Sequence, residues 1–129
     1  MAFPLTLVAL EGTFAIHRLD PAAEIPMAWF QQDFISLVRT PQELSLVVRE
    51  TVAVPSQKVE PGWRGFVIQG TLAFSMTGIL AAISQVLATA QISIFAISTY
   101  DTDYIFVQAA AFEAAVRALS QAGYKIEAR

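Results

Sequence analysis

Apolar positions recur along this chain with two spacings, and the spacings locate its elements. Ile79, Leu80, Ile83, Val86, Leu87 and Ala90 return every three or four residues with alanines between them, which predicts a helix over 77–90. Ser75 or Thr77 would cap its start, since a side-chain oxygen there can accept from the first free amides. Phe112, Ala115, Val116 and Leu119 form a second helical stripe, with Gly123 placed to end it. Between the two helices, ISIFAISTYDTDYIFV (92–107) holds two β-rich runs, 92–99 and 103–107, around a polar knot. WRGFVIQG (63–70) before the first helix and YKIEA (124–128) after the second read as strands. The order βαββαβ predicts an α+β, ferredoxin-like unit, with four antiparallel strands and two helices on one face.

The N-terminal half repeats part of this plan. LTLVAL (5–10), a Glu11-Gly12 turn and FAIHRL (14–19) predict a β-hairpin. DPAAEIPMAWF (20–30) opens with Asp20 and Pro21, a helix start signal, although Pro26 limits the regularity of that helix. FISLVR (34–39) and LSLVVR (44–49) flank Thr40-Pro41-Gln42-Glu43 as strand, turn and strand. Residues 50–62 hold two prolines and read as a connection. Two units are expected, a shorter one over 1–60 and a complete one over 61–129.

Both alternating sets of the run 92–99 are substantially apolar, Ile92, Ile94, Ala96 and Ser98 on one side, Ser93, Phe95, Ile97 and Thr99 on the other. Such a strand is expected to be covered on both faces. Composition points the same way. Hydrophobic residues make up 55% and charged residues 15%, against roughly 25% charged in ordinary soluble domains. Apolar surface is left over, and self-association would use it. With a net charge of −3 and no basic cluster, neither nucleic acid nor an anionic membrane is an expected partner. The absence of cysteine excludes disulfides, thiolate nucleophiles and thiolate metal sites, and the single histidine, His17, excludes a multi-histidine zinc site. No apolar stretch is long enough for a membrane-spanning helix, and MAFPLTLVAL lacks the charged start of a signal peptide, so the cytoplasm is the expected compartment.

Three segments carry a family resemblance: FISLVRTPQELSLVV (34–48), GWRGFVIQGTLAFSMTGILAAIS (62–84) and ISIFAISTYDTDYIFV (92–107). Residues 63–126 resemble an ACT domain, the small ligand-binding module of amino-acid metabolism. The whole chain resembles the bacterial two-ACT proteins related to the cytosolic arginine-sensor family of animals. The resemblance implies two ACT-like halves, further self-association, and an amino acid held where two such units meet. It places the pocket on the loop after the first strand, Phe74, Ser75, Met76, Thr77, Gly78 and Ile79, and on the end of the second strand, Ser98, Thr99 and Tyr100, with Asp103 beyond. The chain has Ser75-Met76-Thr77-Gly78 where many ACT domains of metabolic enzymes have a Gly-x-Pro-Gly type loop.

The chemistry of those residues suits a free amino acid. Its carboxylate needs clustered N–H donors, which the start of helix 77–90 supplies, and Gly78 permits close approach. Its ammonium needs an acceptor, and Asp103 is one. Phe74, Met76 and Tyr100 would line a side-chain pocket. Each residue also has a plain structural reading. Ser75 and Thr77 can serve only as caps, Asp101 and Thr102 as turn residues, Asp103 as a partner of the turn backbone, and Tyr100 as packing against another unit. His17 reads as a strand residue rather than a base, and Trp29 and Trp63 as packing anchors. Asp101 and Asp103 would share a face on a strand, yet too few other acids lie near in sequence for a calcium or magnesium site.

The expectation is a non-catalytic sensor or regulatory protein that binds an amino acid, acts as a homodimer or higher homo-oligomer and needs no cofactor or metal. The alternative is an oligomeric scaffold without a small-molecule ligand. A small enzyme on the same fold is disfavoured by a residue inventory with no cysteine and one histidine.

Overall fold

A computed structural model describes residues 5–69 and 77–128. Its elements are β1 (Thr6–Ala9), β2 (Phe14–Leu19), β3 (Ile35–Arg39), β4 (Leu44–Arg49), β5 (Lys58–Ile68), α1 (Ile79–Thr89), β6 (Ile94–Ser98), β7 (Asp103–Gln108), α2 (Phe112–Gln121) and β8 (Lys125–Ala128). Two compact units emerge. One comprises the described residues of Met1–Glu11 and Arg64–Arg129, the other Gly12–Trp63. The long strand β5 crosses the division.

In the first unit the sheet runs β6-β7-β5-β1-β8. The βαββαβ order is present, but among the described residues the sheet of this unit has five strands rather than four. β1 stands between β5 and β8, antiparallel to β5 (Leu7↔Ile68, Ala9↔Phe66) and parallel to β8 (Leu7↔Ile126). The hairpin expected of residues 5–10 and 14–19 therefore does not form. The reason is burial. Leu7 and Ala9 enter a core with Phe66, Ile68, Ile105 and Val107 from the sheet, Ile79, Ile83 and Leu87 from α1, and Ala115 and Leu119 from α2. Burying Leu7 alone is worth roughly 1.5–3 kcal/mol, and a two-stranded hairpin has no comparable core to offer it. Both helical stripes read from the sequence face this core, and Gly123, just past α2, takes the left-handed conformation (φ 103°) expected beyond a helix end.

The opposite face of that sheet is apolar as well: Val8, Leu10, Val67 and Phe106 are buried, and Phe95 stacks on Phe106 with ring centroids 4.6 Å apart. The edge strand β6 departs from the double coverage expected of it. Ala96 and Ser98 are exposed, and Ile94, Phe95 and Ile97 are only half-buried, because β6 pairs with β7 alone among the described strands.

In the second unit the order is β3-β4-β2-β5. β3 and β4 form the expected strand–turn–strand, with Thr40 Oγ1 accepting from the amides of Gln42 and Glu43. Leu19, Trp29, Leu44, Leu46 and Val48 make the core, joined by Ile25, Val52 and Val54. The helix expected over 20–30 is reduced to a 3-10 turn, Met27–Gln31, that seats Trp29. Asp20 spends its carboxylate on the amide of Ala22, forming a local turn, and Pro26 cannot donate within a helix.

β5 begins five residues earlier than its sequence reading and runs through Pro61 and Gly62. A bulge makes this workable: Phe14 pairs with Trp63 but Ile16 with Glu60, so β5 carries one extra residue there. Gly62 supplies the left-handed φ of 80°, and its amide donates to Glu50 Oε1 at 2.7 Å.

His17 lies on β2 opposite Leu46, a residue of this core, and is buried. Its Nδ1 lies 2.9 Å from Ser56 Oγ, while Nε2 has no hydrogen-bond partner. Burial lowers its pKa below the ordinary 6.5, because the imidazolium loses hydration there. It is a strand residue, as read from the sequence, and its ring nitrogen Nδ1 is engaged by the Ser56 hydroxyl.

Two predictions follow from this packing. A Cβ on Gly65 would lie 2.9 Å from the ring of fully buried Phe106, so Gly65→Ala should destabilise by about 1–3 kcal/mol, read as a lower denaturant midpoint. For His17, folding favours the neutral ring, so its contribution is present above pH 6.5 and is lost as the pH falls through the lowered folded value. Thermal unfolding from pH 7.5 to 5 should therefore show a decline that His17→Phe reduces.

Candidate functional site

The turn between β6 and β7 is built from its own hydroxyls. Ser98 and Asp103 are the last cross-strand pair, and residues 99–102 span the reversal. The Thr99 amide donates to the carbonyl of Thr102 at 2.8 Å, and the Thr102 amide donates to Thr99 Oγ1 at 3.2 Å. Thr102 Oγ1 reaches outside the turn and donates to the carbonyl of Ile68 at 2.8 Å, tying the reversal to the end of β5. Tyr100, 80% exposed, and Asp101 project at the tip.

Asp103 differs from Asp101 in placement. It is half-buried and accepts a hydrogen bond from Ser98 Oγ at 2.5 Å. Alternation along β7 puts it on the side of Ile105 and Val107, the face covered by the helices. Asp101 belongs to the turn and not to a strand, so the two carboxylates do not share a strand face. Among the described residues, no three acidic or histidine side chains cluster as metal ligands.

The start of α1 is anchored in the core that this face also lines. Ile79 is its first residue and packs in one core with Ile105, two residues beyond Asp103. The N-cap is Gly78, not Thr77, with φ 79° and no side-chain capping bond. The first-turn amides of an α-helix have no partner within it, and here no side chain of the cap takes one. Thr77 is exposed beside them. Phe74, Ser75 and Met76, expected to complete the site, lie outside the described residues.

The Ser98–Asp103 bond and the Thr102–Ile68 tie were not read from the sequence. The first follows from the strand register, and the second joins residues 34 apart in the chain. Another polar feature has no signal in the sequence pattern. An open cavity of about 470 Å³ lies in the second unit, lined by Gly12, Thr13, Arg49, Glu50 and Thr51. Its charges are engaged internally. Arg49 grips Asp33 with Nε (2.9 Å) and Nη2 (3.0 Å) and lies over the Phe14 ring, while Glu50 accepts from Thr13 Oγ1 and from the Gly62 amide. The Arg49 hydrogen bonds hold the Asp33 carboxyl below its ordinary pKa.

Comparison with known proteins places this geometry. The model of the ACT domain matches residues 58–121, and a model describing an N-terminal domain matches 12–57. No curated protein matches. A crystal structure of a protein from Agrobacterium tumefaciens is 34% identical, with a TM-score of 0.90 over 99% of this chain and 96% of that one. Aspartate kinase from Clostridium acetobutylicum aligns over 90% of this chain and 34% of its own, at 15% identity and TM-score 0.67. The regulatory subunit of aspartate kinase from Thermus thermophilus aligns over 86% and 93%, at 18% identity and TM-score 0.59. The chain folds throughout like the Agrobacterium tumefaciens protein, and its residues 58–121, the βαββα stretch that the family model matches, belong to the ACT-domain family.

Proposed function

We propose that this protein is a non-catalytic, cytoplasmic regulator that binds a free amino acid at the corner between the start of α1 and the β6–β7 turn. The observation that carries the proposal is Asp103, a carboxylate fixed by Ser98 on the helix-covered face of the sheet. In this reading Asp103 receives the ligand's ammonium, aided by Thr99. The amides of Gly78, Ile79 and Leu80 receive its carboxylate, because Gly78, the left-handed cap, has no side chain to compete for them. Tyr100, exposed at the tip, contacts the ligand side chain in this reading, and Phe74, Ser75, Met76 and Thr77 are further candidate contacts.

The likeness to regulatory subunits of aspartate kinase supports regulation rather than catalysis as the role. Occupancy would act by population shift, favouring whichever packing of units binds the ligand better. Self-association into a homodimer or higher homo-oligomer belongs to the same reading. Exposed Met27, Phe30 and Val38 supply apolar surface for it.

Thermal-shift screening against the common amino acids, followed by calorimetric titration, tests the assignment. A ligand at one hundred times its dissociation constant should stabilise by about 2.7 kcal/mol. Asp103→Ala should weaken binding about 10- to 100-fold, the scale of a lost charge-assisted hydrogen bond, whereas Asp101→Ala should change it by less than about threefold. Equal losses at the two positions, or no stabilisation by any amino acid, would overturn the reading.

A further inference from the structure

Residues 50–57 carry the chain from β4 to β5 across the core of the second unit. Thr51, Ala53 and Pro55 are exposed, while Val52, Val54 and Ser56 alternate with them and are half-buried. Val52 and Val54 pack on the core that holds Leu19, Trp29 and Leu46. The segment is fastened at both ends: the Glu50 amide donates to the Thr13 carbonyl at 3.0 Å, and the Gln57 amide to the Arg18 carbonyl at 3.1 Å. Within it, the Val52 amide reaches back to the Arg49 carbonyl and the Ser56 amide to that of Val54. The Ser56 hydroxyl, 2.9 Å from His17 Nδ1, ties the later half to β2.

His17 makes that tie depend on protonation. It is 7% exposed and shares a sheet face with its cross-strand partners, Leu46 on β4 and Val59 on β5. Its Nε2 is buried without a hydrogen-bond partner. A neutral imidazole can meet the Ser56 hydroxyl as donor or as acceptor. An imidazolium is a donor at both nitrogens. Ser56 can accept from Nδ1, but Nε2 would then be a buried, charged donor with no acceptor, which costs far more than an unmet neutral group. The closed segment therefore holds either neutral tautomer and disfavours the cation.

The charged groups of the surrounding elements are placed elsewhere. Arg18, Lys58 and Glu60 alternate onto the other face of the sheet. Arg49, opposite Phe14, is on that face too and holds Asp33. Glu50 accepts from Thr13 Oγ1 and the Gly62 amide. Asp20 accepts from the Ala22 amide, and Glu24 is exposed. Arg39 shares the face of Leu44, but it stands on β3, beyond β4, and donates to the carbonyls of Pro21 and Ala23. Burial is what shifts the His17 pKa, and it shifts it downwards. β2 is paired with both β4 and β5, so the ring's own strand is fixed and the segment over it is the movable side.

We propose that residues 50–57 are an acid-released strap: protonation of His17 frees Ser56 from the ring and lifts Val52 and Val54 from the core. Trigger and strap both lie within the second unit, so the proposal does not depend on the ligand corner.

Native-state hydrogen exchange from about pH 8 to pH 5, corrected for intrinsic rates, reads the opening. Protection of the Ser56 and Gln57 amides should hold steady down to pH 6.5. It should then fall by up to about tenfold per pH unit until the pH reaches the lowered value of His17, whose ring resonance reports that value because the chain has one histidine. Strap protection should stay below that of the Leu46 and Val48 amides on β4 and change little in dilute urea, since a short segment exposes little surface. His17→Gln should remove the pH dependence. Ser56→Ala, at a half-buried position, should lower strap protection about threefold or more at neutral pH, and it keeps the test open if the first variant folds poorly. Strap amides that exchange only together with Leu46 and Val48, with the same urea dependence, would show global unfolding alone and overturn the proposal. So would strap protection that does not change with pH, a pH dependence that persists in His17→Gln, or unchanged protection in Ser56→Ala.

Discussion

The C-terminal unit depends on a strand drawn from the opposite end of the chain. β1 is paired on both sides, and among the described strands β8 meets β5 only through it. The amide of Lys125 donates to the carbonyl of Leu5, that of Gln69 to Thr6, and that of Leu10 to Gly65, so both edges of β1 are fastened. Its side chains contribute Leu7 and Ala9 to the helix-covered core and Val8 to the other face. The stretch that matches the ACT domain model, 58–121, contains neither β1 nor β8. The recognised module thus completes its sheet with residues lying outside it on either side.

A sheet completed in this way gives the candidate site a firm base. β5 and β7 sit inside the sheet, and the reversal from β6 to β7 is held by three hydroxyl side chains. Thr99 closes the turn on itself, Thr102 ties it to β5, and Ser98 orients Asp103. Each bond alone contributes only about 0.5–1.5 kcal/mol, but together they leave Asp103 little freedom. α1 starts at the same face because Ile79 and Ile105 share the core. Burial therefore determines where the free helix amides lie, and local hydrogen bonding determines where the carboxylate lies.

Much of this was legible from spacing alone. The two helical stripes, the β6–β7 reversal, the β3–β4 turn and the α+β class all depend on contacts local in sequence, which periodicity reports directly. The misreadings concern partners distant in sequence. Alternation marked residues 5–10 as a strand, but nothing in it distinguishes a neighbour at Phe14 from neighbours at Phe66 and Ile126. Pro61 and Gly62 read as linker residues, yet a bulge absorbs them and Glu50, far along the chain, satisfies the freed amide. Residues 20–30 carried a helix start signal that Asp20 used for a turn. At the site, the turn role of Thr102 was readable, but its bond to Ile68 was not. Ser98, Thr99, Tyr100, Gly78 and Asp103 were reached through family resemblance. What separates Asp103 from Asp101 in the structure is strand register.

Nuclear magnetic resonance of the 15N-labelled protein titrated with individual amino acids addresses the ligand corner most directly. Saturable shifts of the Gly78, Ile79, Thr99 and Asp103 amides by at least one amino acid, with those around Thr13 and Glu50 unmoved, are the expected result. An amino acid whose shifts centre on Gly12, Thr13 and Glu50 while Gly78 and Asp103 stay fixed would contradict it.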